Sequence, residues 1–362
     1  MAQLVNNSNA TPVKNIAILG PTGNIGIQIL KSFLEHNASH SSSPFNIIAL
    51  TRDSSLAGTK KQLEPYLNLP HHNIQVKSID SYTNQSALSA LLRETSTEVL
   101  ISTIATLSTN DQTSIIDACV SSGTVKRFFP SEFGVDTSSR PIVEKNLPVA
   151  LFKLEVIEYL KKVASDTRGG FTWSAIICGA FFDWGLKLPG LLTFNLASNE
   201  VAVIDGGDVK YEATNIATIG RAVVACLANP KTYEESAGQY VYINSFTVTQ
   251  NQVISLIESY TNRTIKRHDV SSVARAEEAR KIMEENGGLE FFRNYVPTAE
   301  VPYAPGSAES ILPCIYGGEK SGGMNQYSMR EPGLWNERLG LPKEDVEETV
   351  RGVLKELGLT KA

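Results

Sequence analysis

Cysteine is scarce: Cys119, Cys178, Cys226 and Cys314 are the only four in 362 residues, and none of them forms a Cys-x-x-Cys pair. Such wide spacing speaks against a disulfide framework and against a zinc site, and the first three lie in apolar periodic segments of the kind that bury free thiols. No hydrophobic run is long enough to cross a bilayer, and the polar opening Met1 to Val13 lacks the basic start and apolar stretch of a secretory signal. The expectation is a cytoplasmic chain with no membrane partner, in which sequons such as Asn37-Ala38-Ser39 and Asn262-Arg263-Thr264 carry no consequence. Histidine is sparse too, and His71 and His72 are adjacent, so they point apart and hold no metal. There is no serine nucleophile elbow and no P-loop lysine, which sets hydrolase and kinase chemistry aside. The formal charge of −5 comes without a basic stripe, poor ground for nucleic acid and better suited to a small-molecule partner.

What the chain has is apolar residue content, 42%, spread in short runs. Runs at Asn15–Leu19, Asn46–Leu50, Ile74–Val76, Val99–Ser102 and Arg127–Phe129 alternate with helical periods at Ile25–Leu34, Ser86–Leu92 and Gln112–Val120. A strand–helix rhythm of this kind specifies an α/β fold: a Rossmann-type doubly wound parallel sheet, its ligands collecting beyond the carboxyl ends of the strands. A helix over Val149 to Val163 and a strand at Phe171–Ile177 extend it, and a helix from Lys343 to Leu357 closes the chain. The expected division is a flexible N-terminus at 1–13, a Rossmann domain at 14–180 that carries the cofactor site and a smaller C-terminal substrate lobe at 181–362. Within the lobe, about 272–330 reads as a lid or insertion, because 301–326 is dense in Pro, Gly, Tyr and Ser; a plain surface loop is the other reading.

The first strand runs directly into Gly20-Pro21-Thr22-Gly23-Asn24-Ile25-Gly26, which opens a helix. Here Gly20 permits the sharp turn, Gly23 admits a pyrophosphate to the backbone N–H groups, and Gly26 lets helix and strand pack closely. Thr22, Asn24 and Ile25 complete that cradle. The second strand ends at Arg52, where a guanidinium suits a ribose 2′-phosphate; Lys61, or its neighbour Lys60, can add to it, whereas Asp53 could hold a ribose hydroxyl instead. The cofactor expected is therefore NADPH/NADP. Asp80, past the third strand, is placed for the adenine amino group, with local turn capping the competing role, and Ser102 and Thr103 at the fourth strand end flank the cofactor.

The run Arg127-Phe128-Phe129-Pro130-Ser131-Glu132-Phe133-Gly134 closely resembles the signature after the fifth strand in the isoflavone reductase-like, NmrA-type family of atypical short-chain dehydrogenases. The glycine turn, Arg52, Asp80, the Ser102-Thr103 strand end and Gln112 follow in that family's order, and the likeness covers roughly residues 14 to 185. It implies that Ser131, Phe133 and Gly134 line the nicotinamide side of the cleft, and that Lys153, in Phe152-Lys153-Leu154-Glu155, is the general acid or base. On residues alone Lys153 would be one of three helix lysines, with Lys161 and Lys162, on a solvated face. Phe181, Phe182 and Trp184 resemble the family's substrate wall, with a place in the core as the alternative. Two departures stand out. Ile157 occupies a position that is often basic in the family's reductases, and the only Tyr-x-x-x-Lys match, Tyr316 to Lys320, lies far downstream in a glycine-rich stretch and reads as coincidence.

The leading expectation is an NADPH-dependent reductase of a small aromatic or polyketide-like secondary metabolite, working as a monomer or homodimer. A non-catalytic NADP(H)-sensing regulator of the NmrA type is the alternative from another class. An NADP-dependent isomerase that returns the hydride to its substrate is a third reading.

Overall fold

The structure, a computed structural model, describes residues 13–67, 69, 73–104, 109–147, 150–288, 307–318, 323–329 and 333–360. The expectations for His71, His72, Lys320 and the first twelve residues fall outside that set, as does part of the candidate lid.

The central sheet has seven strands: β1 (Asn15–Leu19), β2 (Asn46–Arg52), β3 (Ile74–Ile79), β4 (Val99–Ser102), β5 (Arg127–Phe129), β6 (Thr172–Ile177) and, from much later in the chain, a strand at Gln239–Tyr242. Their spatial order puts β1 between β4 and β2, with β3 at one edge and the late strand at the other, and every pair is parallel. Helices α1 (Asn24–Ser39), α2 (Leu56–Leu67), α3 (Gln85–Glu94), α4 (Thr109–Ser122), α5 (Arg140–Asn146) and α6 (Leu151–Asp166) form the crossovers.

Side-chain alternation explains why the strands are almost wholly apolar. Ile16, Ile18, Ile47 and Ala49 point into one core with Phe33 of α1, while Ala17, Leu19, Ile48 and Leu50 point into the other with Leu88, Ile115 and Leu160 from α3, α4 and α6. Each such Ile, Leu or Phe side chain, fully removed from water, contributes roughly 1.5–3 kcal/mol. At the base of the sheet the buried Arg127 donates to Thr172 Oγ1 at 2.6 Å, Ser174 Oγ at 2.9 Å and the Tyr233 carbonyl at 2.9 Å. The first residue of the recognised run is therefore a structural tie rather than a site residue.

Beyond β6 come β7 (Ala180–Phe181), α7 (Phe182–Leu186), β8 (Phe194–Asn195), β9 (Glu200–Ile204), β10 (Tyr211–Thr214), α8 (Ile216–Ala228) and α9 (Pro230–Glu235). The late strand of the main sheet is β11, followed by β12 (Phe246–Val248), α10 (Gln250–Thr261), β13 (Lys266–Val270), α11 (Ser272–Glu285), α12 (Ser307–Tyr316) and α13 (Val346–Glu356). Two three-stranded sheets, β12-β10-β7 and β13-β9-β8, share a third core with α10, α12 and α13.

The chain does not divide cleanly at residue 181. Helix α8 packs on α1, so closely that a Cβ on Gly220 would lie 2.5 Å from the Gln28 carbonyl oxygen, and β11 pairs with β6. Both belong to the first layer system, because their apolar faces cover α1 and complete the sheet edge. Sequence periodicity reports that a segment is apolar, not which of two neighbouring cores receives it.

Candidate active site

The candidate residues follow the carboxyl ends of the parallel strands, from the turn after β1 to the segment after β6. Gly20 turns with φ +74°, which favours glycine, and its N–H donates to the Leu50 carbonyl at 3.4 Å. Gly23 N–H closes the turn on Gly20 O at 3.1 Å, and Thr103 Oγ1 donates to Leu19 O at 2.7 Å and Gly20 O at 3.0 Å. A Cβ on Gly26 would sit 2.1 Å from Gly20 O. The N-cap of α1 is Gly23 and no side chain caps the helix, so its first N–H groups and positive end face the turn that Thr22, Asn24 and Ile25 complete. Gln112 Nε2, buried on α4, has no hydrogen-bond partner among the described residues, while its Oε1 accepts from Ser102 Oγ at 3.3 Å. A glycine cradle with no room for a Cβ at Gly26, an open helix terminus and an orphaned donor together fit a dinucleotide.

Arg52 is exposed at the end of β2 and has no ion-pair partner among the described residues. Lys60 and Lys61 are exposed on α2, which Gln62 Nε2 ties to Thr22 O at 3.3 Å. Ser102 is fully buried and faces Gln112, so its hydroxyl does not line an open cleft. Asp80 performs local turn chemistry: its two carboxylate oxygens accept from Asn84 Nδ2 at 3.2 and 3.0 Å, and Asn84 in turn caps α3. The Asn84 hydrogen bond holds the Asp80 carboxyl below the usual carboxylate range.

After β5 the loop from Ser131 to Thr137 is tied to three parts of the molecule. Gly134 O accepts from Cys178 N at 3.0 Å and Gly179 N at 2.9 Å; Asp136 N donates to Met324 O at 3.1 Å; and Lys153 Nζ donates to the Glu132 carbonyl. Phe133 adopts φ +22° with its ring packed in the core, an unfavourable backbone for a bulky residue that needs its surroundings to hold it. Lys153 is half-buried in the first turn of α6, whereas Lys161 and Lys162 are exposed and Lys162 pairs with Asp166 at 2.6 Å. The structure thereby separates Lys153 from the other two lysines, which periodicity alone could not do.

Glu132 falls inside the Ser131 to Gly134 run that the resemblance assigns to the nicotinamide side, but neither its side chain nor Thr137 was singled out by sequence reasoning. Glu132 is 2% exposed and accepts from Thr137 Oγ1 at 2.5 Å; burial pushes its carboxyl above the usual range, opposed by the nearby Lys153. The available signal was a lone acid inside an apolar run. Phe182 requires a correction: it lines no cleft, being fully buried in the second-lobe core edge-to-face against Phe246 at 4.9 Å. It begins α7, and helical geometry turns it away from its neighbours. Phe181 and Trp184 stay partly exposed, their rings 6.1 Å apart.

The candidate lid reaches this site. Cys314 on α12 and Met324 pack with Val143, Leu147, Leu151 and Leu154 of α5, α6 and the stretch between them, just before and after Lys153. Buried Glu212 of β10 anchors the segment's far end, accepting from Ser328 N at 3.3 Å as well as from Asn244 Nδ2 at 2.6 Å. Tyr316 is fully buried, donating to Leu192 O at 3.0 Å. All four cysteines are buried and free, and burial pushes the Cys226 and Cys314 thiols up to about 12. No helix among the described residues is long and apolar enough to cross a membrane.

The NmrA-like family model matches residues 12–304. Oxidoreductase aprR of Aspergillus flavus is 30% identical over 247 residues, 68% of this chain and 73% of that protein. Isoflavone reductase homolog IRL of Zea mays is 26% identical over 268 residues, 73% of this chain and 80% of that protein. Among solved structures, the NADPH complex of leucoanthocyanidin reductase from Vitis vinifera superposes with TM-score 0.66 at 19% identity, covering 94% of this chain and 99% of that one. Isoflavone reductase gives 0.65 at 18% identity, covering 95% and 99%. The chain belongs to the NmrA-like family, as an oxidoreductase of its isoflavone reductase-like branch.

Proposed function

We propose that the protein is an NADPH-dependent reductase of a small, aromatic or polyketide-like secondary metabolite, with Lys153 as the proton donor. The observation that carries this reading is Lys153 itself: half-buried, singled out from the other α6 lysines and held by a carbonyl of the loop after β5. A protein that only sensed the dinucleotide would have no use for a proton donor at that place. When bound, NADPH supplies a hydride. The α1 terminus and glycine turn hold the pyrophosphate, Arg52 receives the 2′-phosphate, and the loop after β5 sets the edge of the nicotinamide pocket. Reduction leaves negative charge on a substrate oxygen or carbon, and the Lys153 ammonium delivers a proton there. Phe181 and Trp184 offer apolar ring surface to a flat substrate, and α12 packs beside the start of α6 that carries Lys153.

The test is deuteride transfer from labelled NADPH to a panel of ketones, enones, imines and benzylic ethers. Label in one product class supports the reductase and names its chemistry; tight NADPH binding with no label in any class favours the sensor instead. A separate titration checks the cofactor assignment. Arg52→Ala is expected to weaken NADPH binding ten- to a hundredfold and NADH hardly at all, since a guanidinium–phosphate pair contributes on the order of 1.5–3 kcal/mol. Equal losses for both dinucleotides would overturn the 2′-phosphate assignment.

A further inference from the structure

Glu132 is a carboxylic acid where charge is costly, and it meets Lys153 in two ways. Its main-chain carbonyl accepts from Lys153 Nζ, and the ammonium's charge opposes the upward shift that burial gives the enclosed carboxyl of the same residue. Two bonds fix the residue: its N–H donates to Pro130 O at 2.8 Å, and Thr137 Oγ1 donates to its carboxylate at 2.5 Å, closing the loop across five residues. Between them sits Phe133 in its strained backbone, so this loop holds its shape only under such constraint. The ionisable groups facing Glu132 are Asp136 on its own loop, Tyr240 on β11 and Lys153 on α6; Cys178, after β6, faces the same lysine.

We propose that Glu132, braced by Thr137, is the positioning residue of Lys153: it fixes the loop carbonyl that holds the ammonium and balances the ammonium's charge. This rests on Lys153 as the proton donor but makes its own prediction about the lysine, whatever the substrate. A residue buried only to anchor the loop would need no charge, and an amide of the same shape would serve equally.

The experiment compares acetylation rates of individual lysines in the full-length native protein, Glu132→Gln, Glu132→Asp and Thr137→Val, by brief exposure to acetic anhydride at pH 8 and peptide mass spectrometry. Lys161 and Lys162 on the same helix serve as internal references. Glu132→Gln is expected to raise Lys153 labelling relative to Lys162 severalfold, because the amine loses the opposite charge beside it and the carbonyl that holds it is less firmly fixed. Thr137→Val should raise it by a smaller factor, and Glu132→Asp should restore much of the native rate. With a substrate in hand, Glu132→Gln should also lower kcat without changing KM for NADPH. An unchanged Lys153 to Lys162 ratio in Glu132→Gln overturns the proposal, and Thr137→Val decides in its place if that variant does not fold. If the ratio changes as expected while no substrate takes label from NADPH, the positioning role stands and the reductase reading falls.

Discussion

Lys153→Ala is expected to lower kcat by about 10²–10⁴, the range for loss of a positioned general acid, while the Kd for NADPH stays within about twofold. The two quantities separate because Lys153 touches the loop after β5 and not the glycine turn. Lys153→Met is the sharper control: it fills much of the same space, so its loss of rate reports the charge and proton rather than packing around α6. A drop in kcat with KM for the substrate little changed marks an interaction made in the transition state. If either variant turned over at the native rate, proton delivery would have to come from solvent or another group, and the placement of Lys153 would be structural. Stopped-flow measurement of NADPH oxidation at saturating substrate makes the comparison directly.

The parts of the fold legible in the sequence were those whose signal is local. Asn15–Leu19, Val99–Ser102 and Arg127–Phe129 were expected as strands and are strands, because each is a short apolar run buried on both faces and bounded by turn residues. Helix α2 escaped notice: it is mostly exposed, so little apolar periodicity marks it, and Pro65 lies inside it. Strand β11 was missed for a different reason. Its partner β6 ends some sixty residues earlier, and no local pattern records a pairing made through α8. At the site, the glycine turn was legible because its backbone sterics depend only on neighbours in sequence. Asp80 and Phe182 were harder, since a carboxylate past a strand and a phenylalanine after one look the same whether they face a ligand, a cap or a core. The contacts that single them out, with Asn84 four residues from Asp80 and with Phe246 distant from Phe182, are made only in the folded chain. Glu132 shows the limit most clearly: its significance lies in Lys153 and Thr137, and only the closed loop brings the three together.

Three glycine substitutions are expected to separate the requirements of the fold from those of the cofactor. In Gly26→Ala the new Cβ would lie 2.1 Å from Gly20 O and 2.8 Å from Thr103 Oγ1, so the backbone of the turn itself must move. Overpacking of this kind costs about 1–3 kcal/mol, and thermal unfolding should fall by several degrees. The displaced turn should also lose NADPH binding by about a hundredfold or more, since its N–H groups no longer converge on the pyrophosphate. Gly23→Ala meets only Gly20 O, at 3.4 Å, an ordinary contact. It should therefore unfold near the native temperature and yet bind NADPH far more weakly, because its methyl group takes the space that the phosphate needs. Gly58→Ala on exposed α2 meets nothing within 4 Å and should stabilise the protein by roughly 0.4–1 kcal/mol with no effect on cofactor affinity. Differential scanning calorimetry with NADPH fluorescence titration reads both axes. Native-like NADPH affinity in Gly23→Ala would mean that the phosphate does not approach the backbone there, and the cradle would have to be placed elsewhere along the strand ends.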